Sequence, residues 1–229
     1  MSFARSLESE WLDALPANDP RAMRSRRDLR RVNAIMLQAR IMARLLSAHC
    51  TSGTGGRFVE LGGGDGTFML SVARKLRWRE VQLILVDRQD IVEERTRAGF
   101  AALGWRLRVV REDVFDFLGQ RRETADVVTA NLFLHHFADA DLARLLRGAA
   151  GLAPIFAACE PRRSTPALIG SRMLFAIGCN DVSRHDAVAS VRAGFDGAEL
   201  SRLWPNDPSW RLHERPAWPF THCFAASRL

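Results

Sequence analysis

The sequence predicts an α/β chain built on a doubly wound, mostly parallel sheet, and three observations carry this. From residue 57 onward, short and nearly continuous apolar runs alternate with amphipathic stretches. Runs of that kind suit strands covered on both faces by helices. A glycine-rich turn, Gly62 to Gly66, joins the first run to the first helical pattern, the place where such sheets receive nucleotide-like ligands. Finally, the alternation stops near the end of the chain, where two runs flank a proline-containing turn and read as an antiparallel hairpin.

Residues 1–20 read as an irregular or short helical lead. From Met23 to Leu46, apolar residues recur at Leu29, Val32, Met36, Met42, Leu45 and Leu46, while Arg24, Arg27, Arg30, Arg31, Arg40 and Arg44 fall mostly elsewhere. That is the pattern of one amphipathic helix. Ser47 to Gly56 is a Ser/Thr/Gly linker. Strands are expected at Phe58–Leu61, Val81–Val86, Leu107–Val110, Asp126–Ala130 and Leu152–Ala158, with helices at Thr67–Leu76, Gln89–Ala102 and Asp139–Leu146. Ile169–Ile177 and Asp186–Arg192 look helical and enclose a polar loop, Asn180 to Arg184. Trp210–Glu214 and Thr221–Ala226 form the hairpin, completing seven strands. The expected organisation is a helical cap over 1–50 and a core over 51–229.

At 229 residues and 47% hydrophobic composition the chain can bury a sizeable core. No apolar run reaches the roughly 18 residues a membrane helix needs, and Met1 to Pro20 lacks the apolar stretch of a secretory signal. Cys50, Cys159, Cys179 and Cys223 are widely spaced and form no C-x-x-C pair, which fits reduced thiols in a cytoplasmic protein. The net charge is +7, a balance that can attract nucleic acid. Yet 32 of the 33 basic residues are arginine, tyrosine is absent, and no basic stretch is interleaved with aromatics. Coding bias explains such a skew better than a phosphate-binding surface does, and a base-stacking platform is missing.

The glycine turn narrows the ligand. Gly62 and Gly64 fit the dinucleotide pattern G-x-G-x-x-G, but its last position is Thr67. The glycines alternate instead at 62, 64 and 66, and Glu60 stands two residues before them. An anionic side chain there is awkward for a pyrophosphate and suits a cationic amine. The other strand ends carry matching groups. Asp87, followed by Arg88, lies about 20 residues beyond the glycines, where an acid can accept from ribose hydroxyls or cap a helix. Asp113 and Val114 can take an adenine amino group and cover its ring, or start a helical turn. Asn131 opens the segment Asn131-Leu132-Phe133-Leu134-His135-His136-Phe137, and Glu160-Pro161 ends the fifth strand.

Acid-x-Gly-x-Gly-x-Gly, followed by these motifs in this order, resembles the class I S-adenosylmethionine (SAM) methyltransferases over residues 57–229. The resemblance implies a Rossmann-like sheet with an added antiparallel strand, preceded by a helical cap. It implies SAM as cofactor, held by Glu60, Gly62, Gly64, Gly66, Asp87, Arg88, Asp113, Val114 and Asn131. Arg30 or Asn33 would reach the SAM carboxylate, or Arg30 would belong to a solvated basic face. Leu134-His135-His136 matches the segment that faces the transferable methyl in small-molecule enzymes. Asp186 to Phe195, with Leu203-Trp204-Pro205, resembles methyltransferases encoded beside polyketide synthases.

The expected function is therefore methyl transfer from SAM to an oxygen of a small phenolic or polyketide-derived molecule. A phenol with a pKa of about 10 is mostly protonated at neutral pH, and histidine suits the role of base. His135 is the first candidate and His136 the second. Phe133, Glu160 and His222 are expected at the acceptor, Glu160 and His222 as reserve bases and Glu160 equally as the partner of an arginine, with Phe137, Met173 and Phe175 as apolar walls or ordinary core. No metal is expected, because Asp87 and Asp113 serve the cofactor and His213 and His222 lie on separate hairpin strands. The basic helix at 21–46 is open to two uses, forming a homodimer or capping the site. The alternatives are an N- or C-methyltransferase, an RNA methyltransferase and a non-enzymatic SAM-fold partner. Asn131-Leu132-Phe133-Leu134 is not the Asn-Pro-Pro-aromatic motif of many enzymes acting on amino groups of nucleic acids and proteins.

Overall fold

A computed structural model of the protein describes residues 3–50, 56–120 and 124–229. Seven strands form one sheet: β1 (Arg57–Leu61), β2 (Gln82–Asp87), β3 (Arg106–Arg111), β4 (Val127–Asn131), β5 (Ile155–Pro161), β6 (Trp210–Ala217) and β7 (Thr221–Arg228). Their order is β3-β2-β1-β4-β5-β7-β6. The first five strands run parallel, and β7 joins β5 antiparallel with Glu160 opposite His222. The chain reverses its winding between β1 and β4, so the crevice for a ligand opens at their carboxyl ends.

Side-chain alternation decides the layers. Phe58 faces α3 (Gln38–His49), α4 (Thr67–Leu76) and α5 (Glu94–Ala102), in a core with Met42, Leu46, Met69, Phe100 and Trp105. Val59 and Leu61 face the other way, toward α6 (Val114–Gly119), α7 (Asp139–Leu152) and α10 (Glu199–Leu203), packed with Phe117, Leu145, Phe156 and Trp204. Successive strand residues point to opposite faces, so an almost wholly apolar strand feeds both cores.

The leading helices depart from the expected single amphipathic helix. α1 (Trp11–Ala14) is short, and α2 (Pro20–Ile35) is separated from α3 by Leu37, whose φ is +56°. The break lets α3 lie on α4 and β5 while α2 crosses to α9 (Asp181–Ala193). No glycine or proline marks it, so the helical period runs through it in the sequence. α2 begins where Asp19 accepts from the Arg21 N–H and Pro20 takes the first turn.

The residues before α1 are docked as a strap. The Asp186 carboxylate accepts from the Trp11 and Leu12 N–H groups at 2.8 and 3.0 Å. Arg5 donates to the Ala193 and Phe137 carbonyls and pairs with Asp139, and Arg163 Nε donates to the Phe3 carbonyl at 2.7 Å.

The expected polar loop at 180–184 is mostly the first turn of α9. Asn180 is its cap, accepting from the Ser183 N–H. α8 (Thr165–Arg172) and a 3-10 turn at Met173–Ile177 precede it. Of the expected linker, Ser47–His49 continue α3, and 51–55 lie outside the described residues. All four cysteines are free thiols, with Cys159 and Cys223 opposite each other on β5 and β7. No described helix is long and apolar enough to cross a membrane.

Candidate active-site cleft

The glycine turn after β1 is tied to the end of β2. The Gly62 and Gly63 N–H groups donate to the Val86 carbonyl at 2.9 and 3.1 Å. Asp87 then accepts from the Gly64 N–H on one oxygen and from the Gln89 N–H on the other, each at 2.9 Å. Gly64 adopts φ +53°, and a Cβ built on it would meet nothing within 4 Å. Gly62, at φ +69°, would drive a Cβ to 2.3 Å from the Phe133 ring. Left-handed backbone favours glycine at both positions, but only Gly64 has open space above it.

That space is a hollow of about 480 Å³ lined by Gly62, Gly63, Gly64, Asp65, Asp87, Arg88, Asn131 and, from α2, Arg30 and Asn33. The Oδ1 atoms of Asn131 and Asn33 are buried without a hydrogen-bond partner. Arg30 pairs with Asp65 at 2.6 Å, holding α2 over the glycine turn. Carboxylates and orphaned amide oxygens offer acceptors here, beside the guanidinium groups of Arg26, Arg30 and Arg88 that line the same hollow. The set fits a ligand that presents hydroxyl and ammonium donors together with an anionic group.

Glu60 lies beneath the turn rather than in the hollow. It is 2% exposed and accepts from the Thr129 hydroxyl. Burial pushes its carboxyl up to about 8; the Thr129 hydrogen bond opposes the rise and nearby Glu160 adds to it. Gly66 closes the turn by donating to the Gly63 carbonyl.

A second hollow, of about 630 Å³, adjoins the first and shares Gly62, Asp87, Arg88 and Leu132 with it. Its walls include Asp113, Val114, Phe133, Phe137, His135 and His136, and it is covered by strap residues from Leu7 to Ala14. Asp113 also caps α6 by accepting from the Phe115 N–H, so the capping role is filled at a position that still borders the cavity.

The two histidines sit on a 3-10 turn, Leu134–His136, after β4. Glu160, fully buried at the end of β5, organises that turn. It accepts from the N–H groups of Phe133, Leu134 and His135 and from His135 Nδ1, the last at 2.8 Å. His135 Nε2 faces Glu10 Oε1 at 3.2 Å. His136 donates from Nδ1 to the Phe133 carbonyl at 2.9 Å, and its Nε2 lies 3.4 Å from Glu10 Oε2 and 3.8 Å from Asp13 Oδ2. The Ser190 hydroxyl donates to Glu10.

Burial works against a charge on His135, but the hydrogen bonds and charges of Glu10 and Glu160 prevail and push it up to about 9. Glu10 shows the converse: burial raises its carboxyl, and the two histidines bring it well below the usual range.

The structure thus brings together Gly62, Gly64, Asp87, Arg88, Asp113, Val114, Asn131, Phe133, His135 and His136 around adjoining hollows. Glu60 and Glu160 lie just behind them. His222 is fully buried, bonds Glu214 at 2.8 Å, and borders neither hollow. Met173 and Phe175 are exposed and line neither. Glu10 and Asp13 were not expected. Their trace in the sequence is a small cluster of acids, Glu8, Glu10 and Asp13, at the head of a strongly basic chain.

The fold and cleft define a class: a doubly wound sheet with an acceptor-rich glycine turn at its switch point. Residues 58–153, from β1 to the end of α7, match the family model of a methyltransferase domain. That stretch is therefore similar to a methyltransferase domain, and the seven-stranded sheet that contains it is Rossmann-like. A search of curated proteins finds no match.

Among solved structures, an O-methyltransferase family protein from Burkholderia thailandensis shares 20% identity, with a TM-score of 0.61, over 93% of this chain and 61% of its own. The mitomycin 7-O-methyltransferase MmcR shares 19% at a TM-score of 0.60, over 95% of this chain and 60% of its own. The plantazolicin methyltransferase BpumL, solved with S-adenosylhomocysteine (SAH), shares 11% at a TM-score of 0.65, over 93% and 92%. The chain spans about three fifths of the length of the two O-methyltransferases.

Proposed function

We propose that the chain transfers a methyl group from SAM to an oxygen of a small phenolic or polyketide-derived molecule. The observation that carries this reading is the adjoining of two unlike hollows. One surrounds an open glycine with carboxylates and unpartnered amide oxygens. The other has phenylalanine walls and a histidine–carboxylate cluster. The methyltransferase-domain match and the solved O-methyltransferases support it.

SAM, when bound, supplies an electrophilic methyl group on a sulfonium centre. In this reading Gly62 and Gly64 shape the cradle, Gly66 closes it and Glu60 lies beneath it. The free lone pairs of Asp87 accept from ribose hydroxyls, with Arg88 at the border of both hollows. Asp113 accepts from the adenine amino group, and Val114 lies against the ring. The unpartnered oxygen of Asn131 accepts from the ammonium group.

Phe133 and Phe137 would hold an aromatic acceptor, and the strap would exclude water. Holding the acceptor oxygen in line with the methyl group supplies much of the acceleration. Of the two histidines, His136 is the more open, its side chain 25% exposed against 3% for His135. The acceptor hydroxyl is therefore assigned to the His136–Glu10 side of the cluster. His135, held by carboxylates on both ring nitrogens, and Glu160 behind it are positioning residues. His222 takes no part, since it borders neither hollow.

The test is calorimetry with SAM, followed by a panel of phenols and amines read by mass spectrometry. Saturable SAM binding with methylated phenols is expected, and His136→Ala should lower turnover more than it lowers SAM affinity. Absence of SAM binding would remove the cofactor, and methylated amines without methylated phenols would move the acceptor from oxygen to nitrogen.

A further inference from the structure

We propose that Glu10, His135 and His136 form a binding site for one divalent first-row transition ion of the zinc class. The His135 Nε2, His136 Nε2 and Glu10 carboxylate ligand atoms all lie within 4.8 Å of one another. The two histidine–carboxylate separations are 3.2 and 3.4 Å. A tetrahedral ion with bonds of about 2.0–2.2 Å sets its ligand atoms roughly 3.3–3.6 Å apart, so small side-chain adjustments would admit one.

Donor accounting makes the stronger case. The Glu160 carboxylate and the Phe133 carbonyl can only accept, so both histidines carry their proton on Nδ1. In the neutral rings both Nε2 atoms turn a lone pair toward the same carboxylate, which also can only accept, so each contact needs either a proton, as in the charged form of His135, or a cation. Two extra protons would create two imidazolium rings with centroids 4.2 Å apart, a like-charge pair in a mostly buried place. One divalent cation satisfies all three lone pairs at once.

The surroundings are those of a supported site. A ligating histidine ordinarily donates its other N–H to a carboxylate or backbone carbonyl, and one of each is present. Glu160 is itself fixed by three backbone N–H groups, and the Ser190 hydroxyl orients Glu10. Asp13 offers a further oxygen 3.8 Å from His136 Nε2. A nitrogen-rich set favours zinc-class ions over magnesium or calcium, which prefer oxygen. The ion would fasten the strap to the turn after β4 and leave coordination positions facing the second hollow, where an oxygen ligand can bind. The site stands on this geometry whether or not the chain transfers methyl groups, although such an ion would serve the acceptor oxygen proposed above.

The experiment uses the tag-free full chain, stripped with chelator and titrated with Zn²⁺ in the absence of SAM, with Co²⁺ absorption as a second readout. One ion per chain is expected. His136→Ala and Glu10→Gln should each weaken binding by at least about 10-fold, the lower end of the effect of losing even an outer-shell partner. His213→Ala, at the separate His49–His213 contact, should leave it unchanged. No uptake of zinc by the wild type, or equal uptake by the wild type, His136→Ala and Glu10→Gln, would overturn the proposal. A chain that binds zinc but not SAM would keep this site and lose the cofactor assignment, and the reverse result would do the opposite.

Discussion

Replacing Gly64 by alanine should separate ligand binding from folding, with Gly62→Ala as its counterpart. Both glycines have left-handed backbone, at φ +53° and +69°, and a Cβ there costs about 1–2 kcal/mol. At Gly64 that is the whole penalty, because the added methyl group meets no neighbour within 4 Å. At Gly62 it would also sit 2.3 Å from the Phe133 ring, and displacing a packed ring adds about 1–3 kcal/mol. In a chain of this size each kcal/mol moves the melting temperature by about 2–4 °C. Gly64→Ala should therefore lower it by about 2–8 °C and Gly62→Ala by roughly 4–20 °C. The methyl group on Gly64 projects into the hollow beside Asp87, so SAM affinity should fall at least about 10-fold, or about 1.4 kcal/mol. Differential scanning fluorimetry and calorimetry read the two effects. Wild-type SAM affinity in Gly64→Ala, or a larger stability loss there than in Gly62→Ala, would refute the reasoning.

Three further outcomes follow from buried charge and from the cap. The Glu60 carboxyl is raised from 4.5 to about 8, so the unfolded chain ionises first and stability falls as pH rises between those values. The slope is at most about 1.4 kcal/mol per pH unit. Glu60→Gln should flatten it in urea denaturation run at about pH 5 and about pH 8. Asp186→Asn weakens the hold on the Trp11 and Leu12 N–H groups; it should cost about 1–3 kcal/mol and speed amide exchange in residues 3–15 before it does so in the sheet. Arg30→Ala breaks a half-exposed ion pair with Asp65; stability should change by less than about 1 kcal/mol, while the KM for SAM rises because α2 is no longer tied to the glycine turn.

Most of the sheet was legible because its signals are local. β1 and β4 are short apolar strands between turn residues, and α4 begins and ends at the residues its pattern marks, Thr67 and Leu76. The Leu37 break was hidden because neither glycine nor proline marks it, and tertiary packing on α4 and α9 decides it. The start of α9 is misplaced in the sequence reading because Asn180 and Ser183 look like loop residues, although Asn180 caps the helix and Ser183 lies in its first turn.

The glycine turn and strand-end acids could be placed from spacing alone. The acceptor side could not, because its defining contacts join residues far apart in the chain. Glu160 was seen beside Pro161, but its four donors come from another strand end. Glu10 lies in a segment with no regular period, and only its partners give it meaning.

The strap has a consequence for the order in which the site is made. Glu10 is synthesised 125 residues before His135 and 180 residues before Ser190. At about 5–20 residues per second, it waits roughly 10–40 s for its last partner. The glycine turn needs only Val86 and Asp87, some two dozen positions downstream. On a ribosome the glycine turn can therefore form early, while the histidine half of the cleft must wait until α9 has emerged and the opening segment can fold back across the sheet.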